Sequence, residues 1–461
     1  MISKGTRFRA LSSWPRTSTG SEGGGRSPRR QCLALLFASL AATASTGCWG
    51  NGGGPSPSLT SGAEVVNPDL ANTATGDVVY CTDPSEARQD AVKRFNRAFA
   101  GRPLTAKVKE LPAGTAEQRR LFVEREISCD VFDSDVIWMA DLAARRRILN
   151  MTPYISLRDS VREDKGTFIS TTLTTVDFEE RSWGVPHTTN AGLLYRKLDA
   201  SPDRSPVTWQ GVYADAASKG RFVYQAADDE GLTVNYLEIA FAAGGRVLSK
   251  DERRSVINSD KNVEALRFMV DGIRNRAAPR AVLRYDEDAT YAEFSAAASY
   301  MRNWPDKYEP LQRSRLRNRF DVIPLPIFEG AGVAGVLGGA NLVIDADTDN
   351  QGGALALIDF LTLPEQQARG LAEFSEPAVL EETYDEPSVK AQVPFAKKLL
   401  RAIRQGRPRP VSPAYEQISN AISTNVHAAL SRRVSPEEAL QDANKDIEEA
   451  LASLRRTRSD G

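Results

Sequence analysis

From Asp77 onward the chain alternates short β-rich runs with amphipathic stretches, and it does so in two successive series. In the first series, 77–82, 105–110 and 131–138 read as strands. Between them, 86–99 places Ala87, Ala91, Val92, Phe95 and Phe99 at helical spacing, and 116–127 does the same with Leu121, Val123 and Ile127. A further helix runs through Leu142 and ends near Arg147. The second series begins near Asn190, with strands at 192–195 and 221–224 and helices at 209–218, 232–243 and 262–274. Gly244-Gly245 stops the helix of 232–243. More strands are expected at 322–323 and 342–344. The end is helical throughout: 354–361, 364–374, 395–405, 415–430 and 436–454, the last with Ser435 as N-cap. Strand–helix–strand alternation implies α/β layers with parallel strands. Two such lobes face each other across a cleft, and strand ends at such a cleft are where ligands sit.

Composition narrows the function. The 461 residues carry 59 Lys+Arg against 60 Asp+Glu, a net charge of −1 that lacks the basic excess of a nucleic-acid binder. Only two histidines are present, His187 and His427, too little for a zinc site or a histidine-based triad. His187, beside Pro186, reads as structural. Gly330 to Gly335 fits GxGxxG spacing, but Pro324 and Pro326 interrupt the strand such a motif needs, and no helix start follows. Asp345 to Asp349 has the look of a calcium loop, yet Asn350 replaces the required Gly and Ala356 the closing Glu. That segment reads as a solvated turn. No metal or cofactor is expected, and no motif pairs a nucleophile with a base.

Residues 1–47 differ from the rest. Seven basic residues and one acid, Glu22, precede the apolar run 32–42, which is shorter than the roughly 20 residues that span a bilayer. A basic region, a short apolar run and small residues make an export signal. Ser45-Thr46-Gly47-Cys48 resembles a lipobox, with Ser45 where Leu is usual, so Cys48 is the expected lipidation site. Residues 48–76 read as a Gly/Pro/Ser-rich tether. Ordinary cleavage and free secretion is the other outcome open to such a signal. Without residues 1–47 the net charge falls to about −7. Cys81 and Cys129 remain, each beside an expected strand. Export favours a disulfide between them; two buried free thiols are the alternative.

Several ordered segments between Asp77 and Leu454 resemble the extracellular solute-binding proteins of ABC importers, in the maltose- and trehalose-binding group. Cys81-Thr82-Asp83-Pro84 sits where the first strand of that family enters the cleft. Residues 134–141, with Asp135 and Asp141, resemble its third-strand segment, which carries a sugar-contacting carboxylate. Residues 184–195, with Asn190, resemble the crossover between lobes. Glu230-Gly231-Leu232 resembles a helix opening whose Glu accepts sugar hydroxyls. Residues 301–305 resemble the segment whose Trp, here Trp304, stacks on a pyranose. Residues 337–342, with Gly339 and Asn341, resemble the return into the first lobe. Residues 407–415 resemble the loop before the C-terminal helices, whose Arg409 reaches across the cleft on closure.

The resemblance implies a two-lobe periplasmic-binding fold (type II) with a hinge, a central cleft and a helical C-terminus. Lobe 1 would comprise 77–190 and 336–385, and lobe 2 would comprise 191–335 and 386–461. It implies a monomeric, non-enzymatic, lipid-anchored extracytoplasmic protein that delivers a small carbohydrate to a permease. Its expected ligand contacts are Asp83, Asp135, Asp141, Asn190, Glu230, Trp304, Gly339, Asn341 and Arg409. The chemistry agrees: carboxylates accept hydroxyl protons strongly, an indole covers the C–H face of a sugar, and Asn both donates and accepts. Asp141 has a simpler alternative as a helix cap, and Trp138 as a core residue. Asp229, Asp306, Lys307 and Ala340 depart from the sugar-binding pattern by removing stacking surface and adding charge. Two other functions fit the same residues: a glycan hydrolase using Asp135 and Glu230, and a non-transporting sensor or scaffold with a degraded cleft.

Overall fold

The computed structural model describes residues 64–459 apart from 113, 161–164, 200–207 and 333–334. The expected export signal, Cys48 and the first part of the tether lie outside the described residues. The strands, in chain order, are β1 (Gly76–Thr82), β2 (Leu104–Glu110), β3 (Val131–Asp135), β4 (Asp177–Phe178), β5 (Arg181–Ser182) and β6 (Val185–Ala191). They continue with β7 (Leu193–Lys197), β8 (Phe222–Val223), β9 (Tyr300–Asn303), β10 (Phe320–Pro324), β11 (Gly335–Ile344) and β12 (Gly406–Arg407).

The first lobe is a sheet in the order β12-β11-β3-β1-β2, with β6 also paired to β11. β1 runs parallel to β2 and β3, as the alternation implies, because a helix follows each of β1 and β2 and returns the chain to the same edge. The period of two sorts side chains onto two faces. Val78, Tyr80, Val131 and Leu342 join one core, against the helices Glu86–Ala98 and Gln351–Leu361. Cys81, Phe132 and Val343 join the other, with Phe122, Trp138 and Trp183. Trp138 is therefore a core residue, 4% exposed. The second lobe is a sheet in the order β10-β7-β9-β8. Here the expected parallel pattern fails: β7 is antiparallel to both neighbours, and only β8–β9 is parallel. The chain enters this sheet directly from β6 with only Gly192 between, so no helix turns it around. The C-terminal helices Tyr415–Leu430 and Pro436–Ser459 complete the core of this lobe.

Other differences have local causes. The helix expected to Ile127 stops at Val123, where Glu124 caps it and Arg125 turns left-handed (φ 58°). The helix expected from Leu232 begins at Glu230, because Asp229 caps it by accepting from the Gly231 N–H at 2.8 Å. β9 is absent from the sequence reading because Arg302 and Asn303 break its apolar pattern, although both are buried. β12 interrupts the all-helical end by pairing with Gly335 and Val336. The last part of the expected tether is not loose. Val66 is buried, and the 3-10 turn Pro68–Thr73 lies on the helix Gln351–Leu361, whose Gln351 accepts from the Asn67 N–H at 2.8 Å.

Two features fasten the first lobe. Cys81 and Cys129 form a disulfide, their Cα atoms 5.9 Å apart. The second is Asp133, in the middle of β3, which gathers donors from four directions: Tyr80 Oη (2.7 Å), Thr82 Oγ1 (2.6 Å), Arg88 Nε (3.0 Å) and His187 Nδ1 (2.8 Å). His187 thus has the structural place expected of it, tying β6 to β3. Burial works to raise the Asp133 pKa, but Arg88, then His187 and the hydroxyl donors outweigh it and hold the carboxyl far below its usual range.

Both features make predictions. The disulfide closes a loop of 48 residues, so replacing both cysteines with Ser is expected to cost about 4 kcal/mol in urea unfolding, with the m-value recording any change in the unfolded chain. Because the folded-state pKa of Asp133 is depressed, its contribution is present above the unfolded value of about 4 and is lost as pH falls below it. Asp133→Asn should therefore cost about 2–3 kcal/mol at neutral pH, and the gap to wild type should narrow in acid. A gap that stays constant down to the acid-unfolding limit would contradict this assignment.

Candidate functional site

A strand end of the first lobe and a helix start of the second meet at one polar cluster. Asp135 ends β3 in the first lobe, and its Oδ1 accepts from the Ile137 N–H at 3.1 Å. Glu230 opens the helix Glu230–Ala242 in the second lobe, held at the first turn by the Asp229 cap. Arg409 lies between them, on the loop that follows β12. Its Nη1 meets Glu230 Oε1 at 2.7 Å and its Nη2 meets Asp135 Oδ1 at 3.5 Å. Pro408 and Pro410 flank it and restrict the loop backbone. Arg409 is 8% exposed, and its buried Nε meets no partner among the described residues. Glu230 is also gripped from the C-terminal helix by Tyr415 Oη at 2.5 Å and by Ser419 Oγ.

Electrostatics distinguish these groups. Burial raises the Asp135 pKa; Arg409 and the Ile137 N–H oppose the rise, while Glu230 and Asp83 add to it, and the net is upward. Burial raises the Tyr415 phenol as well, with Glu230 adding to it, so it stays a donor. For Arg409, burial works to lower the pKa, but Tyr415, Glu230 and Asp135 outweigh it and the guanidinium stays charged.

Trp304 lies beside the stretch of β11 whose Ala340 pairs with Asp135. It follows β9, and Pro305 keeps it extended, φ −84° and ψ 163°. Its Nε1 donates to Glu287 Oε1 at 3.4 Å. Gly338 of β11 lies beside it: a Cβ there would be 3.5 Å from Asn190 Cβ and 3.6 Å from Trp304 Cη2. The crossover strands thus bring Asn190, Gly338 and Trp304 together.

The other expected contacts are placed differently. Asp83, exposed just after β1, is near enough to Asp135 to act on its charge, and it accepts from Gln118 Nε2 at 2.5 Å. Gly339 has φ +116°, and any Cβ would stand 2.3 Å from Thr188 O, so this position serves the close approach of β11 to β6. Asn341 is 1% exposed and is spent on Thr175, bonding its hydroxyl and its carbonyl at 3.2 Å each. Asp141 is neither open to the cleft nor the N-cap, a position Trp138 holds. It is 4% exposed and paired with Arg119 (2.5 Å) and Arg145 (2.7 Å), and Arg119 reaches on to Glu416 of the second lobe at 2.9 Å. The sequence reading missed Tyr415 and Ser419. Their signal is present in the helix Tyr415–Leu430, where Tyr415, Ser419 and Ser423 recur every four residues on a buried face.

Two lobes of mixed α/β structure, joined by crossing strands and meeting at a polar cleft with an aromatic wall, define a solute-binding protein. Residues 82–368 match the model of the bacterial extracellular solute-binding protein family, and the chain belongs to that family. It is 29% identical over 292 residues to a probable ABC transporter-binding protein of Deinococcus radiodurans, covering 59% of this chain and 68% of that one. The maltose-bound MalE3 of T. maritima superposes with a TM-score of 0.71 at 28% identity, over 82% of this chain and 99% of that one. The sugar-binding protein MalE of Xanthomonas citri gives a TM-score of 0.73 at 19% identity, over 84% of this chain and 100% of that one, a likeness of fold. Among the described residues no helix is long and apolar enough to cross a membrane.

Arg409 opposes the burial effect on Asp135, so Arg409→Gln should move the Asp135 carboxyl titration upward, read by carbon-detected NMR with Asp135→Asn as the assignment control. An unmoved or lowered midpoint would show that Arg409 is not its counter-charge.

Proposed function

We propose that this protein is the binding component of a sugar importer, capturing an α-glucoside-like oligosaccharide of the maltose and trehalose class between its lobes. It hands the sugar unchanged to the permease, works as a monomer, and is held at the extracytoplasmic face of the cell membrane through lipid on Cys48. The observation that carries the reading is the convergence of Asp135, from a strand end of the first lobe, and Glu230, from a helix start of the second, on Arg409, with Trp304 and Asn190 nearby along β11. A sugar needs acceptors for its hydroxyls and a flat apolar surface for its C–H face, and this cleft has both. The likeness to a maltose-bound protein supports the class of ligand. Asp83 and Asp135 serve the ligand from the first lobe, Glu230 and Trp304 from the second, and Arg409 closes over it. Closure shifts an equilibrium between open and closed forms.

Titration of the full chain with maltose, trehalose and longer α-glucosides tests this. Binding should raise Tm and leave the sugar intact. Trp304→Ala should weaken the best ligand by about 2–3 kcal/mol, roughly a hundredfold, and Glu230→Ala should also weaken it. Release of shortened sugar would favour the hydrolase reading with Asp135 and Glu230 as its carboxylates. The absence of a shift with every sugar would favour a sensor or scaffold.

A further inference from the structure

Behind Trp304 lies an ion pair that the binding contacts do not use. Glu238 and Arg302 are each 1% exposed, and they face each other with Arg302 Nε to Glu238 Oε2 at 2.8 Å and Nη2 to Oε1 at 2.5 Å. The guanidinium also lies over the indole of Trp304, 4.0 Å from its centroid, and its Nη1 donates to Gln225 Oε1 at 3.1 Å. Burying two charges is expensive and gives little net stability against an apolar pair of the same size, so the place of this pair matters more than its strength.

That place is the junction of the lobes. Gly192, the single residue between β6 and β7, packs directly on the pair: a Cβ there would stand 2.2 Å from Glu238 Oε1 and 2.7 Å from Arg302 Nη2. Glu238 also accepts from the backbone N–H of Val336, the second residue of the return strand β11. One carboxylate thus touches both chain crossings, while the guanidinium it holds backs one face of the indole. The cation supports the ring through its π-system and keeps that face from a ligand.

We propose that the Glu238–Arg302 pair is a positioning element that links the stacking surface of Trp304 to the two interlobe crossings at Gly192 and Val336, so that ligand on the open face of the indole and hinge closure are coupled through it. This rests on the sugar-binding reading of the cleft. A packing role alone predicts lost stability with unchanged binding. A positioning role predicts lost coupling while the protein stays folded.

The test uses the full chain, maltose as probe, and three variants: Glu238→Gln, Arg302→Lys and Gly192→Ala. Gly192→Ala leaves every charge in place and pushes on the pair from the hinge side. Each is measured for Tm, for maltose Kd, and for the fall in scattering radius at saturating maltose. The proposal expects Kd to weaken by about tenfold or more in Glu238→Gln and Gly192→Ala, with the radius change diminished even at saturation. Kd within about twofold of wild type and an undiminished radius change, with only Tm lowered, would overturn it. Should the variants fail to fold, hydrogen exchange on wild type decides. Maltose must slow exchange at the Gly192 and Val336 amides in wild type and fail to do so in Trp304→Ala at saturation; equal slowing in both overturns the proposal. A wild-type protein that binds none of maltose, trehalose and the longer α-glucosides refutes the sugar reading itself, and this inference with it; if it binds one of the others and not maltose, that sugar is the probe.

Discussion

The pairing of β6 with β11 is the constraint from which the two-lobe arrangement follows. Each strand carries the chain between sheets, one outward and one back, and they run antiparallel from Leu337↔Ala191 to Leu342↔Val185. Because they share one ladder, the lobes cannot separate without breaking backbone hydrogen bonds, and motion is confined to bending about their common line. The register shifts between Ala340 and Asn341, a bulge of the kind that re-aims side chains next to binding sites. The close contact at Gly339 sits beside that shift and leaves no room for a side chain.

The polar groups near this ladder fall into two kinds. Asp133 is met by Tyr80, Thr82, Arg88 and His187, which tie β1, β3, β6 and the first helix together inside one lobe. Asp135, Glu230 and Arg409 join different lobes; the two carboxylates are partly open, and Arg409 between them is buried. A closed internal network rigidifies, whereas partly open groups exchange their partners for a ligand at small cost. Two residues apart on β3, Asp133 and Asp135 have opposite pKa shifts for this reason: the first is buried among many donors, the second is desolvated with fewer.

Much of the fold was legible because it rests on periodicity. The helices Glu86–Ala98, Pro364–Phe374 and Tyr415–Leu430 carry clear stripes, and β1 and the 342–344 end of β11 are apolar runs. The parts that were not legible bury polar side chains. β9 hides Arg302 and Asn303 and was missed; the helix Glu230–Ala242 was expected, but the place of its buried Glu238 shows only once its partner Arg302 is known. For the site, family-like segments led to Asp135, Glu230 and Arg409, which meet, and to Trp304, which stands beside Gly338. The same segments led to Asp141 and Asn341, whose side chains are occupied inside the first lobe. Sequence cannot distinguish an acid that waits for a ligand from one already satisfied by an arginine twenty-two residues away.

The disulfide of Cys81 and Cys129 joins the segments leading to Asp83 and Asp135, the two carboxylates at the rim of the first lobe. Such a bridge closes only where thiols are oxidised. Before it closes, β1 and the approach to β3 are held by backbone bonds and packing alone, and the rim is the softer for it. Under the proposed function, binding competence is tied to maturation: a chain still in a reducing compartment has the softer rim, and the oxidised chain has its rim fixed before it meets a ligand.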